Sequence, residues 1–253
     1  RVGATRVAVR CSTTDDSGAA ERLLQELHIL VNLDCPWLVL PVGFLLQSDP
    51  WSARLVTPLF RRGSLHDVLS APGVTLRRAT WLRYGACIAK ALAYLHSLNP
   101  PIVHRDVKSP NLLVTDDDQL LLHDFGCARS LSNSSAAFED LSALYMPPEI
   151  FYGSRFGPPG DIYSAGVVLW EMLHVLVKGR YQVPYEEYGH LEMDFQIMIQ
   201  AAKYDLRPTL PCSPESGPHG ELAEITARCW KKKEANRPAA CHLASLLAAL
   251  STT

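Results

Sequence analysis

The fold of this 253-residue chain is decided by the run His104-Arg105-Asp106-Val107-Lys108-Ser109-Pro110-Asn111 and the stretch that follows it. The apolar Leu112-Leu113-Val114 comes next, then a polar turn at 116–118, and then a second apolar run that ends in Asp124-Phe125-Gly126. Two short apolar runs around a polar turn predict a pair of short strands. That strand pair would connect a loop carrying an acid, a lysine and an amide to a second acid.

These residue types suit the transfer of a phosphoryl group. The protein must align a hydroxyl with the γ-phosphate and neutralise charge spread over several oxygens, and two acids with an amide can do both. Taken singly, each residue is a weak signal, because an isolated Asp is usually solvated or capping and an isolated Asn usually belongs to a turn. Taken together, they closely resemble the catalytic loop and the metal-binding DFG motif of eukaryotic protein kinases in order and in spacing.

The resemblance implies a role for each of four side chains. Asp106 would orient the substrate hydroxyl and accept its proton, and Lys108 would contact the γ-phosphate. Asn111 and Asp124 would hold Mg²⁺, since amide and carboxylate oxygens suit a hard cation that keeps some of its waters. ATP, Mg²⁺ and a protein substrate are therefore the expected cofactors and partners.

Three further motifs extend the resemblance over nearly the whole chain. Met146-Pro147-Pro148-Glu149 is similar to the APE motif that closes the activation segment, 161–166 to the start of the large central helix, and Asn236-Arg237-Pro238 to the late arginine motif. The family pattern implies a buried ion pair between the glutamate of the first motif and the arginine of the third. It also implies that Asp161 supports the backbone of the catalytic loop.

The amino-terminal part of the chain resembles the phosphate-contacting strand and helix of the kinase small lobe. Val7-Ala8-Val9-Arg10 is similar to the strand whose final lysine contacts the α- and β-phosphates, and Glu26 is similar to the helix acid that pairs with that lysine. On this resemblance, Ala8 would lie over the adenine ring and Leu113 would lie beneath it.

The stretch 55–60 resembles the strand and hinge between the two kinase lobes. Thr57 takes the gatekeeper position, and backbone groups near Pro58 and Phe60 would face adenine. Proline lacks an N–H but keeps its carbonyl, and the first hinge contact in the family is a carbonyl acceptor. Pro58 is therefore compatible with binding of the base.

Two features depart from the family pattern. Arg10 stands where the family has lysine, and its broad planar fork on a longer side chain is expected to displace both the phosphate contact and the Glu26 pair. The Gly-rich loop should precede Val7, but only six residues are available there, and Gly3 fits better in the strand after that loop. A truncated chain and a degenerate kinase without the loop both fit the sequence. The sequence predicts a serine/threonine kinase, with a pseudokinase scaffold of the same fold as the alternative.

Periodicity predicts an α+β fold with two lobes. A small, strand-rich N-lobe with one main helix would cover 1–60, and a larger, mostly helical C-lobe would cover 61–253, so that one kinase domain spans 1–253. In the N-lobe we expect strands at 6–11, 38–46 and 53–59 and a helix that begins near Ala19. The C-lobe helices are expected at 65–69, 75–98, 161–176, 192–203, 221–230 and 238–250.

Composition restricts the compartment and the partners. With 24 Lys and Arg against 26 Asp and Glu, the chain has no electrostatic footprint for nucleic acid or anionic lipid. Seven cysteines, an odd number without a CxxC pair, indicate a reducing compartment, so we expect a cytoplasmic protein. The longest apolar stretch, Ala165 to Val177, is interrupted by Glu171 and His174 and falls short of the ~20 residues that span a bilayer, so no membrane span is expected.

Finer features bear on the kinase class and on regulation. Lys108, two residues after the catalytic Asp, is typical of serine/threonine kinases. The stretch 162–171 and the pair Cys229-Trp230 resemble the tyrosine-kinase-like group, whose members mostly phosphorylate serine or threonine. The segment 127–145 is rich in serine, and a phosphate there would pair with Arg105 and order the segment. A polar loop without a regulatory phosphate fits the same residues equally well.

Overall fold

The computed structural model describes residues 6–13, 17–48, 51–131, 142–191, 193–215 and 217–251. Gly3 and the greater part of the serine-rich 127–145 segment lie outside these residues. Strands gather at the amino-terminal end of the chain and helices dominate the remainder, which confirms the predicted α+β kinase fold. The division into lobes at residues 60 and 61 stays a prediction.

The small lobe is a three-stranded antiparallel sheet with one helix packed on it. The sheet consists of β1 (Val7–Thr13), β2 (Gly43–Ser48) and β3 (Trp51–Pro58), and β3 lies in the middle. Helix α1 (Ser17–Leu30) contacts β1 and β3. Its leucines recur at three- and four-residue intervals, so one face of the helix is apolar and buries Leu23 and Leu30.

The prediction of a strand over 38–46 is wrong in its first half. β2 begins only at Gly43, because Leu38 forms a bridge with Leu122 of the larger lobe, and of residues 38–42 only Val42 bonds to β3. The N–H of Val39 donates to the carbonyl of Leu122 at 2.9 Å, and the N–H of Leu122 donates to the carbonyl of Trp37 at 2.9 Å. These two bonds join the small lobe to the large lobe.

The large lobe surrounds one buried helix, α5 (Pro158–Lys178). By length and composition alone, α5 is long and apolar enough to be a candidate membrane span, but 89% of the tested window is buried inside the structure, as in the core helix of a globular domain. The other helices of this lobe are α2 (Leu65–Leu69), α3 (Arg78–Ser97), α4 (Pro148–Phe151), α6 (Asp194–Tyr204), α7 (Gly220–Cys229) and α8 (Ala240–Ser251). Each predicted helix of the lobe is therefore present, with bounds that differ by a few residues.

Two short strand pairs support the loop that carries His104 to Asn111. β4 (Ile102–Val103) leads into the loop and pairs with β7 (Arg129–Ser130). β5 (Leu112–Val114) leads out of it and pairs with β6 (Leu120–Leu122), as the two apolar runs predict. The alternate leucines of β5 and β6 point into the core, so the hairpin is fixed to the large lobe.

Candidate active site

The backbone of the loop between β4 and β5 is held by a buried carboxylate of α5. Asp161 Oδ2 accepts from the N–H of His104 at 2.9 Å, and Asp161 Oδ1 accepts from the N–H of Arg105 at 2.8 Å. The ring of His96 lies 2.8 Å from the same Oδ2. Arg105 has a φ of 71°, and the two bonds to Asp161 hold this left-handed conformation in place. The role that the sequence predicts for Asp161 is thus confirmed by its contacts.

Three of the predicted catalytic side chains form one network around Asp106. The amide of Asn111 donates to the Asp106 backbone carbonyl at 2.9 Å and to Asp106 Oδ2 at 2.7 Å. The ammonium of Lys108 lies 2.7 Å from the same Oδ2 and donates to Ser142 Oγ at 3.0 Å. Because both cationic and amide donors meet one oxygen, the carboxylate is fixed in orientation.

Asp124 follows β6, two residues after Leu122. Its φ of 65° is left-handed, and Oδ1 accepts from the N–H of Gly126 at 3.2 Å. Arg10 Nη1 donates to the same Oδ1 at 3.1 Å. Burial would raise the pKa of Asp124, but the charge of Arg10 and the bonds from Arg10 and Gly126 outweigh burial, so this pKa is lowered. The carboxylate is therefore ionised at neutral pH.

Arg10 also forms the ion pair with Glu26 that the sequence analysis expected to be displaced. That expectation is wrong, because the guanidinium has two terminal nitrogens and uses a different one for each acid. Glu26 is buried, and its Oε1 accepts from the N–H of Phe125 at 3.3 Å. The phenyl ring of Phe125 in turn packs edge-on against the ring of His104, with centroids 4.9 Å apart. Helix α1 is thereby connected to both candidate motifs.

The predicted adenine-binding residues lie around the end of the sheet. Ala8 is opposite Thr57 in the register of β1 and β3, and Val7 is opposite Pro58. Thr57 is buried and Pro58 half-buried. Past the strand end, the carbonyl of Phe60 accepts from the N–H of Gly63 at 3.3 Å. Ala8, Thr57 and Pro58 are therefore neighbours on adjacent strands, next to the turn that leads to the large lobe.

Leu113 belongs to the large lobe. It lies half-buried on β5, where it pairs with Leu121 and forms a backbone bridge with Ser64. Ser64 caps α2 by accepting from the N–H of Asp67 at 3.1 Å. Leu113 thus lies between the hairpin and the start of α2, and its contact with the base stays a prediction.

Glu171 is a residue whose surroundings the sequence reading missed. In the sequence it stands out only as an interruption of the apolar stretch 165–177. In the structure its Oε1 accepts from the hydroxyls of Tyr181, Ser109 and Tyr145 at 2.7, 2.8 and 3.0 Å. Burial raises the pKa of Glu171 to about 7, against the lowering effect of the three hydroxyls. Ser109 is part of the catalytic loop, so this carboxyl is bonded to the loop through the Ser109 hydroxyl. The available signal was an acid inside the apolar stretch 165–177.

Comparison with known proteins identifies the family. A family model described as protein tyrosine and serine/threonine kinase matches residues 2–247. The chain belongs to the protein kinase family. Stress-activated protein kinase alpha of Dictyostelium discoideum is 38% identical over 192 residues, which are 74% of this chain and 29% of that protein.

Two more relatives cover the kinase domain more fully. One, named "Probable serine/threonine-protein kinase" and also from Dictyostelium discoideum, is 34% identical over 92% of this chain and 23% of its own length. Serine/threonine-protein kinase 12 of Arabidopsis thaliana is 30% identical over 88% of this chain and 46% of its own length. The chain thus spans less than half the length of each of these three relatives.

Proposed function

We propose that this kinase domain transfers the γ-phosphate of ATP to a serine or threonine hydroxyl of a protein substrate. The observation that carries the proposal is the network around Asp106, in which Asn111 and Lys108 both bind Oδ2 at 2.7 Å. Asp106 Oδ1 accepts the hydroxyl proton as the hydroxyl oxygen attacks phosphorus, and the bond to the ADP oxygen breaks. Lys108 stabilises the negative charge of the phosphoryl group in transit.

The residues at the cleft fit a divalent cation. Both bonds that Asn111 makes to Asp106 come from its amide nitrogen, so its carbonyl oxygen is left as a ligand, and Asp124 adds a carboxylate. Among the described residues there is no group of three or more His, Cys, Asp or Glu side chains that would hold a metal alone. Asn111 and Asp124 would hold such a cation when ATP is bound. When bound, Mg²⁺ supplies neutralisation of charge on the phosphate oxygens.

The proposed acceptor is serine or threonine, and the proposed group is tyrosine-kinase-like. Lys108, which is typical of serine/threonine kinases, supports the acceptor, and its bond to Ser142 joins the catalytic loop to the end of the 127–145 segment. The relatives are named as serine/threonine kinases, so a pseudokinase scaffold is not favoured. The stretch 162–171, which forms the centre of α5, supports the group.

A regulatory phosphate in the 127–145 segment and a cytoplasmic location belong to the same proposal. Arg105 supports the regulatory phosphate, because its Nε is buried without a hydrogen-bond partner among the described residues. Burial and the nearby charge of Arg129 also lower the pKa of Arg105. An added phosphate would supply a partner for both cations. All seven cysteines are free thiols, which supports a reducing compartment.

The test of the proposed function is phosphate transfer from ATP to a general protein substrate, with Asp106→Asn beside the parent. Loss of the general base is expected to lower kcat by about 10²- to 10⁴-fold. Asp34→Asn makes the same chemical change at an exposed position and should transfer phosphate at the parental rate. Equal rates in the parent and in Asp106→Asn would refute the assignment of Asp106.

A further inference from the structure

Arg10 joins two acids that come from different parts of the fold. It projects from β1, while Glu26 lies on α1 and Asp124 follows β6. One terminal nitrogen pairs with Glu26, and the other donates to Asp124 Oδ1 at 3.1 Å. The Glu26 side chain is only 2% exposed, whereas the side chains of Arg10 and Asp124 are 42% and 36% exposed. The bond to Glu26, called the inner bond, is thus protected from solvent. The bond to Asp124, called the outer bond, is partly exposed.

This arrangement depends on arginine. The guanidinium presents its donors in a rigid planar fork, so it can engage two carboxylates at once with separate nitrogens. A lysine ammonium is a single compact nitrogen on a flexible stem. At this position, lysine would have to donate to both acids from its single nitrogen, or it would lose the contact with one of the two acids.

The outer bond occupies the carboxylate that the cleft offers to a cation. Asp124 Oδ1 already accepts from Arg10 and from the N–H of Gly126. A divalent cation and a guanidinium neutralise the same negative charge, so each weakens the binding of the other to one carboxylate. Arg10 therefore acts against a metal at the carboxylate that would hold it.

We propose that Arg10 is a positioning residue that competes with the divalent cation for Asp124, so that metal-bound ATP enters only when the Arg10–Asp124 bond opens. The Arg10–Glu26 pair, in which the acid is buried, is expected to persist through this step. The inference rests on the proposed function, since it assumes that the cleft takes ATP and a divalent cation. It predicts that the parent gains less ATP affinity from Mg²⁺ than a variant with lysine at position 10.

The experiment measures the Kd of ATP by titration calorimetry, once in excess Mg²⁺ and once in EDTA, for each purified protein. The ratio of the two Kd values is the gain that Mg²⁺ provides, and it cancels effects of a substitution on ATP binding in general. For Arg10→Lys this ratio is expected to be about 3- to 5-fold larger than for the parent, from the strength of a partly exposed ion pair. Thermal unfolding of each protein checks that it is folded.

Two further variants control the comparison. Arg54→Lys makes the same change at an exposed position of β3 and should keep the parental ratio. Asp124→Asn removes the contested carboxylate and should bring the ratio close to one. If Arg10→Lys shows the parental ratio or a smaller one, the competition by Arg10 is refuted while the ATP site stands. If no protein binds ATP under either condition, the proposed function falls, and the role of Arg10 falls with it.

Discussion

Substitution of Glu171 by Gln tests whether a buried acid beneath the catalytic loop makes the stability of this kinase domain dependent on pH. Glutamine keeps the shape of the side chain and a carbonyl oxygen for the hydroxyls of Ser109, Tyr145 and Tyr181. It replaces the second oxygen by an NH₂ group and so removes the negative charge, which lies in a fully buried site without a cationic partner among the described residues that contact it. The variant therefore isolates the free energy of ionising Glu171 in the folded protein.

The size of the effect follows from the shift in pKa. Burial raises the pKa of Glu171 from 4.5 to about 7, so over this interval the folded protein holds a proton that the unfolded chain has released. Stability from this group is fully present below pH 4.5 and is lost as the pH rises through about 7. Each pH unit in the interval lowers the free energy of unfolding by about 1.4 kcal/mol, which amounts to about 2 kcal/mol between about pH 5.5 and about pH 8.

The assay is urea unfolding of the parent and of Glu171→Gln at about pH 5.5 and about pH 8. The difference in unfolding free energy between the two proteins is expected to change by about 2 kcal/mol in favour of the glutamine variant as the pH rises. Glu224→Gln, at an exposed position of α7, is the matched control and should follow the parent at both values. Parallel pH profiles for the parent and Glu171→Gln would refute the reasoning, as would a change of the opposite sign.

Two further predictions concern stability. Arg237 is fully buried and bonds both oxygens of Glu149 at 2.6 Å. Arg237→Met should lower the free energy of unfolding by about 3–5 kcal/mol, because it leaves a buried carboxylate unpaired. Urea unfolding measures this loss, and a loss below about 1 kcal/mol, the value of a surface pair, would contradict it. At Gly166 in α5, an added Cβ would lie 2.8 Å from the Cβ of Cys229. Gly166→Ala should therefore destabilise the domain by about 1–3 kcal/mol in the same assay, and unchanged stability would show that α7 can move aside.

The kinase fold and the chemistry of the catalytic loop could be predicted from the sequence because the relevant residues are close in the chain. Asp106, Lys108 and Asn111 lie within six consecutive positions, and a short hairpin carries the chain from Asn111 to Asp124. Local geometry of this kind follows from turn residues and apolar runs. The helices of the large lobe were equally readable, since their apolar faces recur with the helical period.

The start of β2 and the surroundings of Glu171 could not be read in the same way. Residues 38–42 are apolar enough for a strand, but Leu38 and Val39 pair with Leu122 of the other lobe. Glu171 is surrounded by hydroxyls from three segments that are separate in the chain. Periodicity shows which side of an element is buried, and it does not show which distant segment will cover that side.

The sequence by itself determined that this chain is a kinase domain and which loop carries the candidate chemistry, because those features reside in contiguous motifs. Only the tertiary structure decided what Arg10 does. Arg10 and Asp124 are 114 positions apart, and their contact exists because α1, the small sheet and the hairpin of the large lobe meet at one cleft. The sequence shows that arginine replaces lysine, but the positions of two acids in space determine that it bridges them.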